Sequence, residues 1–308
     1  MQAENTAAKG EGGTAGAETR EAEAAARPAP APIATAAAAP LPPVVQFRQV
    51  SKTYDNGLTA IRDVTFRVDD HPGRGEFISI LGPSGSGKST ILRLIAGLRP
   101  QHPPTTGAVE VGGRPVVGPG ADRGMVFQDY TAFDNRTVVD NIGFGLECRG
   151  ADAGARRSQA LDWIRRVGLD VDADAGKYPH ELSGGMRQRV AIARSLVLEP
   201  RIVLMDEPFG ALDPPTRYAM QDLLVKLWRD LHTTVFFVTH SVEEAVYLGD
   251  RIYVLSAAPG TILQEIPVPS PDRPAREMQR DRRFLELVMA LRDTLDRLEV
   301  RAPRAGEG

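Results

Sequence analysis

Gly82-Pro83-Ser84-Gly85-Ser86-Gly87-Lys88-Ser89-Thr90 is the stretch on which the reading of this chain turns. It follows an apolar run, Phe77-Ile78-Ser79-Ile80-Leu81, and leads into Ile91-Leu92-Arg93-Leu94-Ile95-Ala96, whose apolar spacing is helical. Strand, glycine-rich turn and helix, in that order, form the context in which G-x-x-x-x-G-K-[ST] holds phosphate. Glycines let the backbone wrap closely around an anion, and the unpaired N–H groups of the helix start point at it. Lys88 is expected to reach the β- and γ-phosphates, and the Ser89 hydroxyl to ligate Mg²⁺. All of Gly82–Thr90 is therefore assigned to a nucleoside triphosphate.

Composition sets the bounds. The 308 residues include 42 % hydrophobic and 25 % charged side chains, ordinary globular values that suffice for a sizeable core. A net charge of −3 gives no basis for a nucleic-acid partner. The single cysteine, Cys148, excludes an internal disulfide and fits a reducing compartment. No run of about eighteen apolar residues occurs, so any membrane role must pass through a partner.

Residues 1–43 are Ala, Pro, Gly and Glu with few large apolar side chains, a composition expected to stay disordered. Glu4 and Glu11 and the interrupting prolines make it a poor secretory signal. Order is expected from Val44. Val45, Phe47 and Val50, then Val64, Phe66 and Val68, alternate as half-buried strands do, with Asp55-Asn56-Gly57 as the turn between them. Gly107–Val111 and Gly124–Phe127 read as further strands, the latter ending at Gln128. Helices are expected over about 155–168, 185–198, 217–231 and 242–248. The continuous apolar runs Ile202–Met205, Val235–Val238 and Ile252–Leu255 have the pattern of strands buried on both faces. The fold class that results is α/β: a mostly parallel sheet preceded by an antiparallel β subdomain. After Pro274, Phe284, Leu287, Val288, Leu291, Leu295 and Leu298 form one stripe of a last helix, expected to dock on its own domain.

Two polar outliers accompany the phosphate loop. Asp206 and Glu207 close a buried strand at the edge where open α/β sheets bind ligands. Asp206 is expected to hold Mg²⁺ through water, and Glu207 to orient and deprotonate an attacking water. Leu182-Ser183-Gly184-Gly185-Met186 opens a helix and reads as a second anion cradle. One chain does not need two triphosphate cradles, whereas two copies do if each closes on the other's nucleotide.

With these residues in place the sequence resembles the ATP-binding subunits of ABC transporters, P-loop NTPases with a helical subdomain that carries the signature motif. The resemblance covers about Val44 to Ile266, within a cassette assigned to 44–270, and leaves 271–308 as the terminal helix and tail. Its motifs run in the family's order: phosphate loop, Gln128, Ser183-Gly184-Gly185, Asp206-Glu207, Leu212-Asp213 and His240. The resemblance implies that Tyr54 stacks on adenine and that Gln128 touches Mg²⁺ and the water. It implies that Ser183 and Gly185 contact the γ-phosphate on the opposite subunit, that Asp213 bridges the two sites, and that His240 contacts the γ-phosphate. Implied partners are a second copy in a head-to-tail dimer, membrane permease subunits and a solute-binding protein, at the cytoplasmic face of a membrane. Met186 stands where many members have glutamine, and Gly210 where others have serine.

Gly118–Gln128 and Pro208–Asp213 are similar to the nitrate/sulfonate/taurine importer branch, as is Ser256–Ile262 apart from Ala258 in place of arginine. The stretch after Ile266 is too short for the extra β domain of carbohydrate-importer ATPases. Tyr130–Thr137, in the loop expected to dock the membrane subunit, departs from that branch. The rival classes are an ABC-type ATPase of DNA repair or chromosome maintenance and a non-enzymatic adaptor. The first lacks its long coiled-coil or zinc insertions here, and the second needs a damaged catalytic set.

Overall fold

The computed structural model describes residues 41–129 and 132–301. The tail reading for residues 1–40, Tyr130, Thr131 and the side chain of Leu298 lie outside the described residues.

Strands β1 (Val45–Thr53) and β2 (Thr59–Val68) open the chain, followed by β3 (Phe77–Leu81), α1 (Lys88–Ala96), β4 (Thr106–Val111), β5 (Arg114–Pro115) and β6 (Arg123–Val126). A helical segment comes next, with α2 (Val138–Cys148), α3 (Ala153–Arg166), α4 (Val171–Asp174) and α5 (Gly184–Leu196). The chain then alternates through β7 (Ile202–Asp206), α6 (Pro214–Leu231), β8 (Thr234–Thr239), α7 (Val242–Leu248), β9 (Arg251–Leu255) and β10 (Ile262–Pro267). It ends in α8 (Ala275–Met278) and α9 (Arg282–Arg301).

Among the described residues the strands form two sheets, β2-β1-β4-β5 and β10-β9-β3-β8-β7-β6. The first is antiparallel, with Phe47 opposite both Phe66 and Val109. Its first turn closes at Asp55-Asn56-Gly57 through Gly57 N–H to Tyr54 O (2.9 Å). In the second sheet every neighbouring pair is parallel except β9–β10. The expected fold class is thus the one observed.

The pleat of the second sheet divides the core in two, because successive side chains leave a strand on opposite faces. Phe77, Leu81, Val203, Met205, Val235 and Phe237 face the side taken by α2, α3, α5, α6 and α7. Ile78, Ile80, Ile202, Leu204, Phe236 and Val238 face α1 and the antiparallel sheet. Burial on both faces is why these strands read as unbroken apolar runs. Phe66 joins the sheets: its ring lies 4.5 Å from Phe47, 5.2 Å from Tyr253 and 6.4 Å from Phe236. Ser79, in the middle of β3, is small for a reason. A Cβ on Gly249, just past α7, would come within 2.9 Å of its Oγ.

Helix α2 and strand β10 were not expected from the sequence. The signal for α2 was present, since Val138, Val139, Ile142 and Leu146 lie on one face and the Thr137 side chain caps Asp140 N–H at 3.3 Å. Strand β10 is an edge strand with mixed exposure, so neither periodicity stands out.

The terminal helix docks on its own chain as expected. Phe284, Val288 and Leu291 of α9 enter the larger core beside Val242 and Val246, and Arg292 pairs with Glu243 of α7. Leu285 and Met289, between those buried positions, are exposed. Phe284→Ala is therefore expected to cost about 3 kcal/mol of stability through lost burial and a residual cavity. Met289→Ala is expected to stay within about 0.5 kcal/mol. Urea-unfolding midpoints of the two variants check the contrast.

Candidate nucleotide site

Parallel pairing assembles the rim. Leu81 lies opposite Thr239 across β3–β8, and Asp206 lies opposite Val238 across β7–β8. The phosphate loop, Asp206-Glu207 and His240 therefore leave one edge of the sheet side by side. The Ser89 hydroxyl donates to Asp206 Oδ1 at 2.7 Å, and Arg93 Nη2 stands 3.8 Å from Oδ2. Burial pushes the Asp206 carboxyl up, partly opposed by the Ser89 hydrogen bond and the Arg93 charge. His240 Nδ1 is 3.0 Å from Glu207 Oε2. Glu207 has φ +46°, held by its N–H to Val238 O at 3.0 Å, which turns its side chain out of the strand's alternation.

Lys88 is 5 % exposed, and its ammonium donates to the carbonyls of Gly82 (2.8 Å) and Pro83 (2.9 Å). Burial lowers its pKa, and the nearby Glu207 and Asp206 carboxylates oppose that shift. The loop it spans is pressed between two backbones. A Cβ on Gly87, at φ +85°, would lie 2.4 Å from Ile61 Cγ2, and one on Gly260 would lie 1.9 Å from Ser86 O. Gly260 is itself tied to β2, its N–H to Ala60 O (2.8 Å) and its carbonyl accepting from Arg62 N–H (2.9 Å). The Ser256–Ile262 stretch is thus the β9–β10 turn that backs the phosphate loop. Among the described residues, Gly87 caps α1 with no side-chain acceptor for the helix N–H groups, and the buried Ser86 Oγ has no hydrogen-bond partner. Free donors in a glycine cradle at a helix start fit a polyphosphate. Two hard oxygen donors, Ser89 and Asp206, fit Mg²⁺, which keeps several of its waters.

Tyr54 stands at the same corner, half-buried. Its hydroxyl lies 3.0 Å from Thr90 Oγ1 and accepts from Gln101 Nε2 at 3.2 Å, while the Lys52 ammonium lies 5.7 Å from its ring centre. Gln128 is exposed and sits in a turn two residues beyond β6 rather than at the strand end expected for it. Its Nε2 would be 4.0 Å from a Cβ on Gly210, beside the turn closed by Gly210 N–H to Glu207 O at 3.2 Å.

The second cradle forms a separate group. Ser183 caps α5 by accepting from Met186 N–H at 3.3 Å, and Asp213 caps α6 by accepting from Thr216 N–H at 3.2 Å. Hydrogen bonds from Thr216 hold the Asp213 carboxyl below the usual carboxylate range. A Cβ on Gly185 would come within 2.7 Å of Thr216 Cγ2, and one on Gly184 within 4.0 Å of Leu212 Cδ2, so the two helix starts are neighbours. Ser183 and Asp213 are both exposed. Among the described residues, no hydrogen bond or ion pair joins Ser183, Gly184, Gly185 or Asp213 to Gly82–Thr90 of the same chain.

Asn141, Arg194, Gln101 and Glu244 escaped the sequence reading, which singles out only the surface near Phe133–Phe144 around them. Buried Asn141 accepts from Phe133 N–H (2.7 Å) and donates to the carbonyls of Phe133, Arg136 and Thr137 at 2.9–3.1 Å, fixing the loop before α2. Above it Phe133 and Phe144 lie 4.6 Å apart, with the Arg194 guanidinium 4.1 Å from the Phe133 ring and that of Arg136 4.9 Å from Phe144. An asparagine inside an apolar helix stripe was the available signal, since such a group is buried only when satisfied. Gln101 and Glu244 gave no signal, because the groups they serve are distant in sequence or on another helix.

Residues 62–210 match the family described as ABC transporter. The chain is 50 % identical over 214 residues to a nitrate import ATP-binding protein of Synechocystis sp., covering 70 % of this chain and 77 % of that one. It is 45 % identical over 261 residues to a taurine import ATP-binding protein of Burkholderia pseudomallei, covering 81 % and 96 %. The solved dimeric, post-hydrolysis structure of the ATP-binding cassette MJ0796 with ADP and Pi superposes with a TM-score of 0.62 at 34 % identity, covering 73 % of this chain and 99 % of that one. The chain, with its phosphate loop and carboxylate rim in register on one sheet edge, belongs to the ABC transporter family as an ATP-binding, ATP-hydrolysing subunit.

Proposed function

We propose that this cassette drives uptake of a small solute of the nitrate, sulfonate or taurine kind through a separate membrane permease, as one half of a head-to-tail pair. The observation that carries the pairing is the division of the site: among the described residues, the exposed Ser183–Asp213 group makes no polar contact with the phosphate loop of its own chain. The relatives' names support the solute class, and the dimeric form of the MJ0796 cassette supports the pairing. Among the described residues no helix is long and apolar enough to cross a membrane, which suits a subunit held at the cytoplasmic face by its permease and supplied by a solute-binding protein. On this reading the cassette itself is residues 44–270, with 271–308 a C-terminal amphipathic helix and tail.

Each side chain then has a task. Tyr54 stacks on the adenine, oriented by Thr90 and Gln101; such stacking is worth roughly 1–3 kcal/mol. Gly82–Thr90 wrap the phosphates, and Lys88 exchanges its carbonyl partners for phosphate oxygens. Mg²⁺, held by Ser89, Asp206 and Gln128, would neutralise charge on the phosphates. Glu207 accepts the proton of the attacking water. His240, 3.0 Å from Glu207, faces the γ-phosphate and keeps the carboxylate oriented. Ser183, Gly184 and Gly185 of the opposite copy close the pocket from the other side, and Asp213 bridges the two pockets. Closure excludes water, where electrostatic contacts gain strength. The Gln128 loop and the surface near Phe133–Phe144 carry the two-state motion to the permease.

Two outcomes test this assignment. Glu207→Gln is expected to keep ATP binding, lose at least about a hundredfold in turnover, and give an ATP-dependent dimer by size-exclusion chromatography. Turnover at the parent rate removes Glu207 as the base. Ser183→Arg is expected to bind ATP without hydrolysing it. Mixed with Lys88→Ala it is expected to recover part of the activity, because one composite pocket in the mixed dimer is intact. A mixture as inactive as its parts counts against the pairing.

A further inference from the structure

The turn that carries His240 is tied to the turn that carries Asp213, although the two are on different elements. Thr239 and Ser241 flank the histidine, and Ser241 N–H donates to Thr239 Oγ1 at 3.0 Å. The Thr239 hydroxyl in turn donates to Glu244 Oε2 at 2.5 Å. Glu244 N–H donates to Ser241 Oγ at 3.3 Å, so the backbone and the carboxylate of Glu244 both grip the turn. The other carboxylate oxygen faces α6: Gln221 Nε2 lies 3.4 Å from Oε1, and Arg217 Nε lies 3.8 Å from it. Arg217 continues the chain, donating from Nη2 to Leu212 O at 3.0 Å, one residue before Asp213. Its own N–H donates to Asp213 O at 2.9 Å.

Glu244 is 6 % exposed. A carboxylate so placed is out of the reach of water and depends on fixed partners, whose loss leaves it uncompensated. Burial pushes it up, while Thr239, Arg217, His240 and Gln221 all favour the charged form. A buried carboxyl shared between two exposed turns transmits displacement, because neither turn shifts without changing the partners of the same group. Nothing in the nucleotide chemistry requires a carboxylate at this depth, and it touches neither phosphate loop nor Mg²⁺ donors among the described residues.

We propose that Glu244 is a positioning residue that couples the Leu212-Asp213 turn to the His240 turn within one chain. The inference rests on the paired-site reading, in which Asp213 meets the second copy while His240 serves the chain's own pocket. Arrival of the partner at Asp213 moves the start of α6. Arg217 and Gln221 carry that movement to Glu244, and Glu244 sets the His240 turn through Thr239. Nucleotide at one pocket thereby bears on the histidine of the other, a coupling between two sites through a contiguous polar chain.

The test uses the full-length protein and MgATP turnover as a function of ATP concentration. Glu244→Gln keeps the volume and an acceptor for Thr239 but loses the attraction for Arg217. Arg217→Gln cuts the same link from a half-exposed side chain without altering the buried one. In both, ATP binding to the monomer is expected within about twofold of the parent. Turnover is expected to fall about tenfold, within the usual range for site-to-site coupling, and the Hill coefficient to drop to one. The double variant is expected to be no slower than either single, since parts of one relay do not add, and Arg217→Lys is expected to recover cooperativity. Parent-like Hill coefficients in both singles, or losses that multiply in the double, overturn the coupling. So does a Glu244→Gln protein that merely melts early beside an Arg217→Gln protein with parent-like kinetics. Failure of the pairing itself reads differently, as absence of an ATP-dependent dimer in Glu207→Gln with Glu244 intact.

Discussion

The parallel ladder β3–β8–β7 is the constraint from which the site follows. Parallel pairing makes three strands end at one rim, and their register sets Leu81, Thr239 and Asp206 within a residue of one another along it. Because both faces of the ladder are buried, a slip of one residue would exchange the two cores, Phe77 and Phe237 for Ile78 and Phe236. The register is therefore fixed by packing, and with it the 2.7 Å contact between Ser89 and Asp206. The chemistry inherits its precision from the apolar alternation beneath it.

Around that rim the protein spends backbone conformation as well as side chains. Gly87 is left-handed and pressed against Ile61, Gly260 lies against Ser86, and Glu207 holds a positive φ that few side chains adopt. These positions keep the loop's N–H groups facing an anion when Lys88 is occupied with the loop's own carbonyls. Buried Lys88 and buried Asp206 each lose hydration, and opposite charge nearby limits the cost. A polyphosphate and a cation complete a charge arrangement already half assembled.

Apart from the Ser183-Gly184-Gly185 cradle at the start of α5, the helical segment adds surface. Asn141 satisfies four backbone polar groups at once and so orders the loop before α2. Phe133, Phe144, Arg136 and Arg194 then form an aromatic and cationic cluster. On the far side α9 closes over α7, and its Arg292–Glu243 pair lies close to the Ser241 hydroxyl that also bonds Glu243.

Local chemistry was enough to read the phosphate loop, the buried strands and the helix start at Ser183-Gly184-Gly185 from the amino-acid order. Each depends on residues within one turn or strand: glycines where φ is positive, β-branched and aromatic runs where both faces are covered, a hydroxyl where a helix begins. Relations between distant segments lay beyond that reading. The Gly260 turn behind Ser86, the orientation of Tyr54 by Gln101, the clamp of Asn141 and the bridge of Glu244 between Thr239 and Arg217 arise from packing of separate elements. Sequence spacing carries no information about such contacts until the sheets and helices have closed on one another, because burial, not proximity along the chain, decides which polar groups must find each other.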